Sequence, residues 1–291
     1  MTIAVTGATG HLGRLAIDAL LERGIEAADL IAVGRSADKL AALGALGVQT
    51  RQAEYSDEAS LTAAFAGADK LLMISGSEVG QRVAQHTNVL EAAKAAGIKQ
   101  VAYTSTPDAQ ETTLVLAPEH KVTEQLIIQS GIPFTFLRNG WYTENYAQTI
   151  EAARVTGAIV ASVGDGRVAS ASRKDYAEAA AVVLTESGHE GAVYELAGDI
   201  AWHYDELAST IGELIGRPVV FRDVPAEELI AHLVEVGLDQ GTAGFLAALD
   251  GNIREGILEV MTGDLSRLIG RPTTSLADGL AELVRSTEAA A

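Results

Sequence analysis

Short apolar runs and amphipathic stretches alternate along the chain up to about residue 198. Thr2–Val5, Leu30–Val33, Val48–Ala53, Leu71–Ile74, Val101–Thr104, Phe134–Leu137, Ile159–Val163 and Val193–Leu196 read as strands. Helical patterns fall between them, at Leu12–Arg23, Val79–Ala96, Glu119–Ser130 and Asp175–Thr185. The gaps between the early strands are too long for hairpins and suit helical crossovers. Near-continuous apolar strands joined by helices predict a parallel sheet covered on both faces, a doubly wound α/β fold.

After residue 199 the rhythm changes. Tyr204–Ile215, Ala226–Val236 and Leu276–Val284 read as helices, and Val219–Arg222 is the one clear strand. Gly241–Gly256 carries several glycines and reads as either a helix or a mobile lid, and the terminal Glu288–Ala291 is expected to fray. The pattern divides the chain into a nucleotide-binding domain over residues 1–198 and a smaller, mostly helical substrate or lid lobe over 199–291. Some interleaving with 140–172 is expected.

Composition narrows the chemistry. The 291 residues hold 39 acidic and 21 basic side chains, a formal charge of −18 that disfavours nucleic acid or an anionic membrane surface. With no cysteine, disulfides, thiolate catalysis and cysteine-held metals are excluded. No charged leader opens the chain and no apolar run reaches the length of a membrane span, so a cytoplasmic location is expected.

The sharpest local signal is Gly7-Ala8-Thr9-Gly10-His11-Leu12-Gly13, set between the first strand and the first helix. Gly7 permits the turn, Gly10 lets backbone approach a pyrophosphate, and Gly13 lets the helix lie close to the sheet. The helix N-terminus adds unpaired amides and a positive dipole end for phosphate. These features specify a Rossmann dinucleotide site. At the end of the second strand, where an NAD site places a carboxylate, the chain has Gly34-Arg35-Ser36. Arg35 can grip a 2′-phosphate, which favours NADP(H) over NAD(H); as an ordinary surface residue it would carry no such preference. Asp38 suits the start of the helix that follows it; Glu54 and Asp57, at the end of the third strand, either accept from an adenine amino group or, for Asp57, cap the next helix, and the two roles can be split between them. Ser75, Gly76 and Ser77 close the fourth strand, either as a platform for the nicotinamide ribose or as a plain turn.

Several further segments recur together in one group of proteins. They are Ser75-Gly76-Ser77-Glu78-Val79-Gly80-Gln81-Arg82, Ser130-Gly131-Ile132-Pro133, Leu137-Arg138-Asn139-Gly140-Trp141-Tyr142-Thr143-Glu144-Asn145 and Leu268-Ile269-Gly270-Arg271-Pro272-Thr273-Thr274. With the glycine loop and Arg35, and in that order, they resemble the NmrA-like group of atypical short-chain dehydrogenases. Within it they resemble the type 2 NAD(P)H:quinone oxidoreductases, with triphenylmethane dye reductases as cousins. The resemblance implies NADPH held by Gly7 to Gly13 and Arg35, with Ser75–Ser77 and Asn139, Gly140, Trp141, Tyr142, Thr143 and Glu144 bordering the nicotinamide half. It also implies a quinone against the nicotinamide, beneath the C-terminal lobe. Gly76 departs from the group, where a serine is expected.

The Tyr-x-x-x-Lys pair of ordinary short-chain dehydrogenases is also missing: the corresponding helix carries His120-Lys121-Val122-Thr123-Glu124. Reducing a ketone makes a strongly basic alkoxide and needs a positioned acid, whereas a quinone becomes a weakly basic hydroquinone anion. The absence therefore points to direct hydride transfer to a quinone-like electrophile, with neither flavin nor metal. His120 and Tyr142 are the candidate catalytic residues, Tyr142 by positioning the substrate; Trp141 and Tyr103 are further stacking candidates. Each has a structural alternative: a His120–Glu124 hydrogen bond within one helix, and core packing for the aromatic residues. Arg173 reaches a phosphate or pairs with a neighbouring acid. The rival function is a redox sensor that binds NADP(H) without turnover. A sugar epimerase or ketone reductase is disfavoured by the missing tyrosine. Neither the acceptor nor the oligomeric state, monomer or homo-oligomer, is fixed by the sequence.

Overall fold

The computed structural model describes the backbone of residues 1–290 and the side chains of residues 1–286. The elements run β1 Ile3–Val5, α1 His11–Glu22, β2 Leu30–Gly34, α2 Ala37–Gly44, β3 Gln49–Gln52, α3 Glu58–Phe65 and β4 Lys70–Met73. Next come α4 Arg82–Ala96, β5 Gln100–Ser105, α5 Ala117–Ser130, β6 Phe134–Asn139, β7 Trp141–Tyr142, α6 Ala147–Thr156 and β8 Ala158–Ala161. They continue with β9 Arg167–Val168, β10 Ser170–Ala171, α7 Arg173–Thr185, β11 Val193–Leu196, β12 Trp202–His203 and α8 Tyr204–Ile215. The chain ends with β13 Val220–Asp223, α9 Ala226–Glu235, α10 Gln240–Arg254, α11 Asp264–Ile269 and α12 Leu276–Ala290.

Seven strands form one parallel sheet in the order β11-β6-β5-β4-β1-β2-β3. Central strands are buried on both faces, as in β1, where Ile3, Ala4 and Val5 are wholly enclosed. The edge strand β3 is polar and largely exposed, which is why Gln, Thr and Arg are tolerated there. One core lies under α1 and α7, around Ile17, Leu20 and Leu184; the other lies under α3, α4 and α5, around Phe65, Val89 and Ile127. Strand order reverses at β1, which lies between β2 and β4, and ligands of such sheets bind at this switch point, outside the carboxyl ends of the strands.

A third core, around Tyr146, Ile150, Trp202, Leu207 and Leu280, belongs to the C-terminal lobe and recruits residues on both sides of β11. The strand expected at Ile159–Val163 is here: β8 lies outside the main sheet and pairs in parallel with β13, Ile159 opposite Phe221. Local hydrophobicity marks a strand but not its neighbour. Gly241–Gly256 resolves to the helix α10, capped by Asp239, with Ala247, Leu249 and Ile253 buried. The fraying expected at Glu288–Ala291 falls outside the fully described residues. Among the described residues no helix is long and apolar enough to cross a membrane.

Candidate functional site

The chain leaves β1 through Gly7, whose φ of +60° suits a residue without a side chain. A Cβ on Gly13 would stand 2.2 Å from the Gly7 carbonyl oxygen and 2.7 Å from the Ala8 Cα, so α1 lies directly on the loop. Gly10 is the N-cap and offers no capping side chain. Its own amide donates to the Gly7 oxygen at 2.9 Å, and the Arg14 amide donates to the Gly10 oxygen at 3.0 Å. The amides of His11, Leu12 and Gly13 have no acceptor among the described residues. Three free donors at the positive end of a half-buried helix suit the oxygens of a pyrophosphate.

Gly34, at the end of β2, lies against Thr9 of this loop, 3.0 Å from where a Cβ would meet its Cγ2. Arg35 follows, exposed, and its Nη1 donates to Glu78 at 2.8 Å. Ser36 caps α2 by accepting from the Lys39 amide, with Asp38 in the first turn, and Asp57 caps α3 by accepting from the Ser60 amide.

The loop after β4 is pinned by its backbone. Tyr55 donates to the Ile74 oxygen at 2.5 Å, the Ser75 amide donates to Thr104 at 2.9 Å, and the Gly76 amide donates to His86 Nε2 at 3.0 Å. Arg82 Nε donates to the Gly76 oxygen. A Cβ on Gly76 would fall 3.1 Å from Gln85 Oε1, which fits a glycine where relatives are expected to carry serine. Helix α4 starts at Arg82, three residues later than the apolar pattern suggests. Gly80 is left-handed, and Glu119 of α5 accepts from the Gly80 and Arg82 amides at 3.1 Å, capping the helix from outside.

His120 and Glu124 share a face of α5 but do not bond each other. His120 Nδ1 meets the Tyr103 hydroxyl at 2.8 Å, while Glu124 accepts from Ser105 and, at 2.9 and 2.8 Å, from Arg138. Tyr103 is completely enclosed and so offers no stacking surface. Burial, with Arg82 adding its charge, pushes His120 down to about 3; burial followed by the charges of His120 and Arg82 does the same to His86. Both imidazoles are neutral at neutral pH.

The Asn139–Glu144 run faces several ways. Asn139 is 5% exposed; its Nδ2 donates to the Tyr142 hydroxyl at 3.0 Å, and its Oδ1 is sealed without a partner. Tyr142 meets Tyr176 edge-on, and the Arg173 guanidinium lies 4.6 Å from its ring centroid. Trp141 packs against the lobe core, and Thr143 turns inward to Ser170 at 2.9 Å. Glu144 accepts from the Arg173 amide at 2.8 Å, and Arg173 also donates to Asn145, so Arg173 pairs with its neighbours. His120 and Tyr142 do not touch: one belongs to the α5 side of the sheet, the other to the α7 side.

Outside the carboxyl ends of β5, β6 and β11, a cavity of about 530 Å³ opens between Pro107, Gly140, Leu196 and Ala197 and the lobe residues Leu258 and Val260. A shallower hollow of about 740 Å³ lies between α8 and β13, far from the strand ends and the glycine loop. No metal-holding cluster occurs among the described residues. The residues that hold the loop, partly buried Tyr55 and buried Arg82 and His86, were not singled out in the sequence as site residues. Their one readable trace was Arg82 and His86 four apart at the start of a helix.

Residues 1–261 match the NmrA-like family. The chain is 48% identical to Escherichia coli quinone oxidoreductase 2, covering 97% of this chain and 98% of that protein. It is 27% identical to an NAD(P)H azoreductase of Xenophilus azovorans, over 95% of this chain and 96% of that one. Its structure superposes on the NADPH complex of the Escherichia coli enzyme with a TM-score of 0.93, covering 97% and 99% of the two chains. It superposes on the NADP(H) complex of Citrobacter sp. triphenylmethane reductase, 40% identical, with a TM-score of 0.91, covering 97% and 100%.

Proposed function

The chain belongs to the NmrA-like family, and from that premise we propose that it is an NADPH-dependent reductase that transfers hydride directly to a quinone or similar planar electrophile. The observation that carries the reading is the row of three unpaired amides at His11, Leu12 and Gly13, under a loop that tolerates no Cβ at Gly13. Its nearly full-length likeness to a quinone oxidoreductase supports the acceptor class.

When bound, NADPH supplies a hydride, and no flavin is needed. Gly7, Ala8, Thr9 and Gly10 shape the turn, and the His11–Gly13 amides bind the pyrophosphate. Arg35 binds the 2′-phosphate in place of Glu78. The pinned Ser75–Ser77 backbone supports the nicotinamide side. Asn139 steadies that border by donating its amide hydrogen to the Tyr142 hydroxyl. Tyr142, Glu144 and Arg173 brace that border through their mutual contacts, and Gly140 opens the cavity. Its apolar wall, with Leu196 and Leu258, receives a flat ring. The test is NADPH absorbance at 340 nm with purified protein and benzoquinone. Decay well above the uncatalysed rate is expected. Tight nucleotide binding without decay would instead establish a redox sensor.

A further inference from the structure

The first two turns of α5 pack on the loop after β4 and on the start of α4, through Glu119 to Gly80 and Arg82 and through Thr123 to His86. In this buried cluster the hydrogens can be assigned one by one. His86 Nε2 accepts the Gly76 amide, so its hydrogen is on Nδ1 and goes to Thr123 Oγ1 at 2.9 Å. Thr123 gives its own hydrogen to the Glu119 carbonyl oxygen at 2.7 Å. The Tyr103 phenol, 0% exposed and kept un-ionised by burial, has His120 Nδ1 at 2.8 Å. Of the acceptors beside it, His120 Nδ1 and the Thr123 hydroxyl, Nδ1 is the one in hydrogen-bond geometry, and a sealed hydroxyl that donated to neither would strand its own hydrogen. Donation to Nδ1 leaves the imidazole hydrogen on Nε2. That nitrogen has no partner among the described residues and is not wholly sealed, so it carries part of the small accessible area of His120.

We propose that Tyr103 locks His120 as its Nε2–H tautomer, making it a neutral hydrogen-bond donor to the acceptor oxygen on which charge develops during reduction. This rests on the reductase reading above. A quinone that gains a hydride, two electrons and one proton, becomes a hydroquinone anion, and NADPH becomes NADP⁺. The anion takes its second hydrogen from water, and His120 keeps its own. An uncharged donor suits this role because it stabilises the oxyanion without the cost of burying a cation beside Arg82. Tyr103 is the positioning residue; His120 does not line the cavity at Gly140 and Leu196, and its donor reaches the acceptor oxygen from the side of the Ser75–Ser77 loop, against which α5 packs.

Two-bond proton–nitrogen NMR of the ¹⁵N-labelled full-length protein, with nucleotide absent, reads each tautomer directly. His86 is expected with its hydrogen on Nδ1 and His120 with its hydrogen on Nε2. Finding His120 as the Nδ1–H form, with the phenol turned to nearby Thr123, overturns the proposal. Tyr103→Phe keeps the ring and removes the lock. It is expected to mix the His120 tautomers and lower kcat with benzoquinone about tenfold, one hydrogen bond's worth, while KM for NADPH holds. A folded Tyr103→Phe protein with an unchanged tautomer or unchanged kcat also overturns it. Loss of quinone-dependent NADPH oxidation in the unsubstituted protein would strike the reductase reading instead, because the tautomer is measured without turnover.

Discussion

The Arg35 guanidinium donates to the Glu78 carboxylate at 2.8 Å and ties the end of β2 to the loop after β4. Both side chains are well exposed, so the pair is a weak, screened contact that a doubly charged 2′-phosphate can displace. Arg35→Asp is expected to raise KM for NADPH by about thirtyfold while changing KM for NADH severalfold at most. Glu78→Gln is expected to lower KM for NADPH by removing the competitor. Equal losses with both nucleotides in Arg35→Asp would remove the 2′-phosphate from the account.

Gly13→Ala tests the cradle. Its Cβ would fall on backbone, 2.2 Å from the Gly7 oxygen, so α1 must lift away from the loop. Destabilisation of about 3 kcal/mol is expected, with loss of nucleotide binding by calorimetry in whatever protein folds. Gly24, in a turn with a φ of +84° and open space where a Cβ would stand, is the control. Gly24→Ala is expected to cost stability through backbone strain and leave binding intact.

Glu124 is 1% exposed and bonded twice by Arg138, which also donates to Glu195 at 2.7 Å. This carboxylate fills the helix position where ordinary short-chain dehydrogenases carry lysine. Its partners are structural: it joins α5 to β5 through Ser105 and to β6 through Arg138. Glu124→Gln is expected to cost about 3 kcal/mol in urea unfolding. Stability unchanged within 1 kcal/mol, roughly the scale of an exposed pair, would contradict this.

Acid should act on His120 through stability. Its folded value of about 3 lies below the ordinary 6.5, so its contribution is fully present above pH 6.5 and is lost as pH falls toward 3. The groups facing it are Tyr103 from β5, Arg82 and His86 from α4, and Glu119 and Glu124 on its own helix. Between pH 7 and pH 5, His120→Asn is expected to lose less unfolding free energy than the parent, by about 2 kcal/mol. Buried Asp250, raised to about 6 by burial, shifts stability the opposite way in both proteins and cancels in the comparison. Parallel pH curves would show that His120 is not buried neutral.

Some of this molecule was readable along the chain. The spacing of Gly7, Gly10 and Gly13, the strand–helix alternation and the replacement of tyrosine and lysine by His120 and Glu124 are local facts. Backbone periodicity and the absence of a side chain act over a few residues, so they leave marks in a single sequence. The destination of β8 left no such mark, because Ile159 opposite Phe221 is a choice among strands equally ready to pair. The same holds for polar partners. That His120 would meet Tyr103 rather than Glu124, and that Gly76 would be gripped by His86 and Arg82, depended on which distant groups burial brought within hydrogen-bond reach. Sequence set the elements and the phosphate cradle; tertiary packing decided which side chains were sealed, neutral or left with a hydrogen to give.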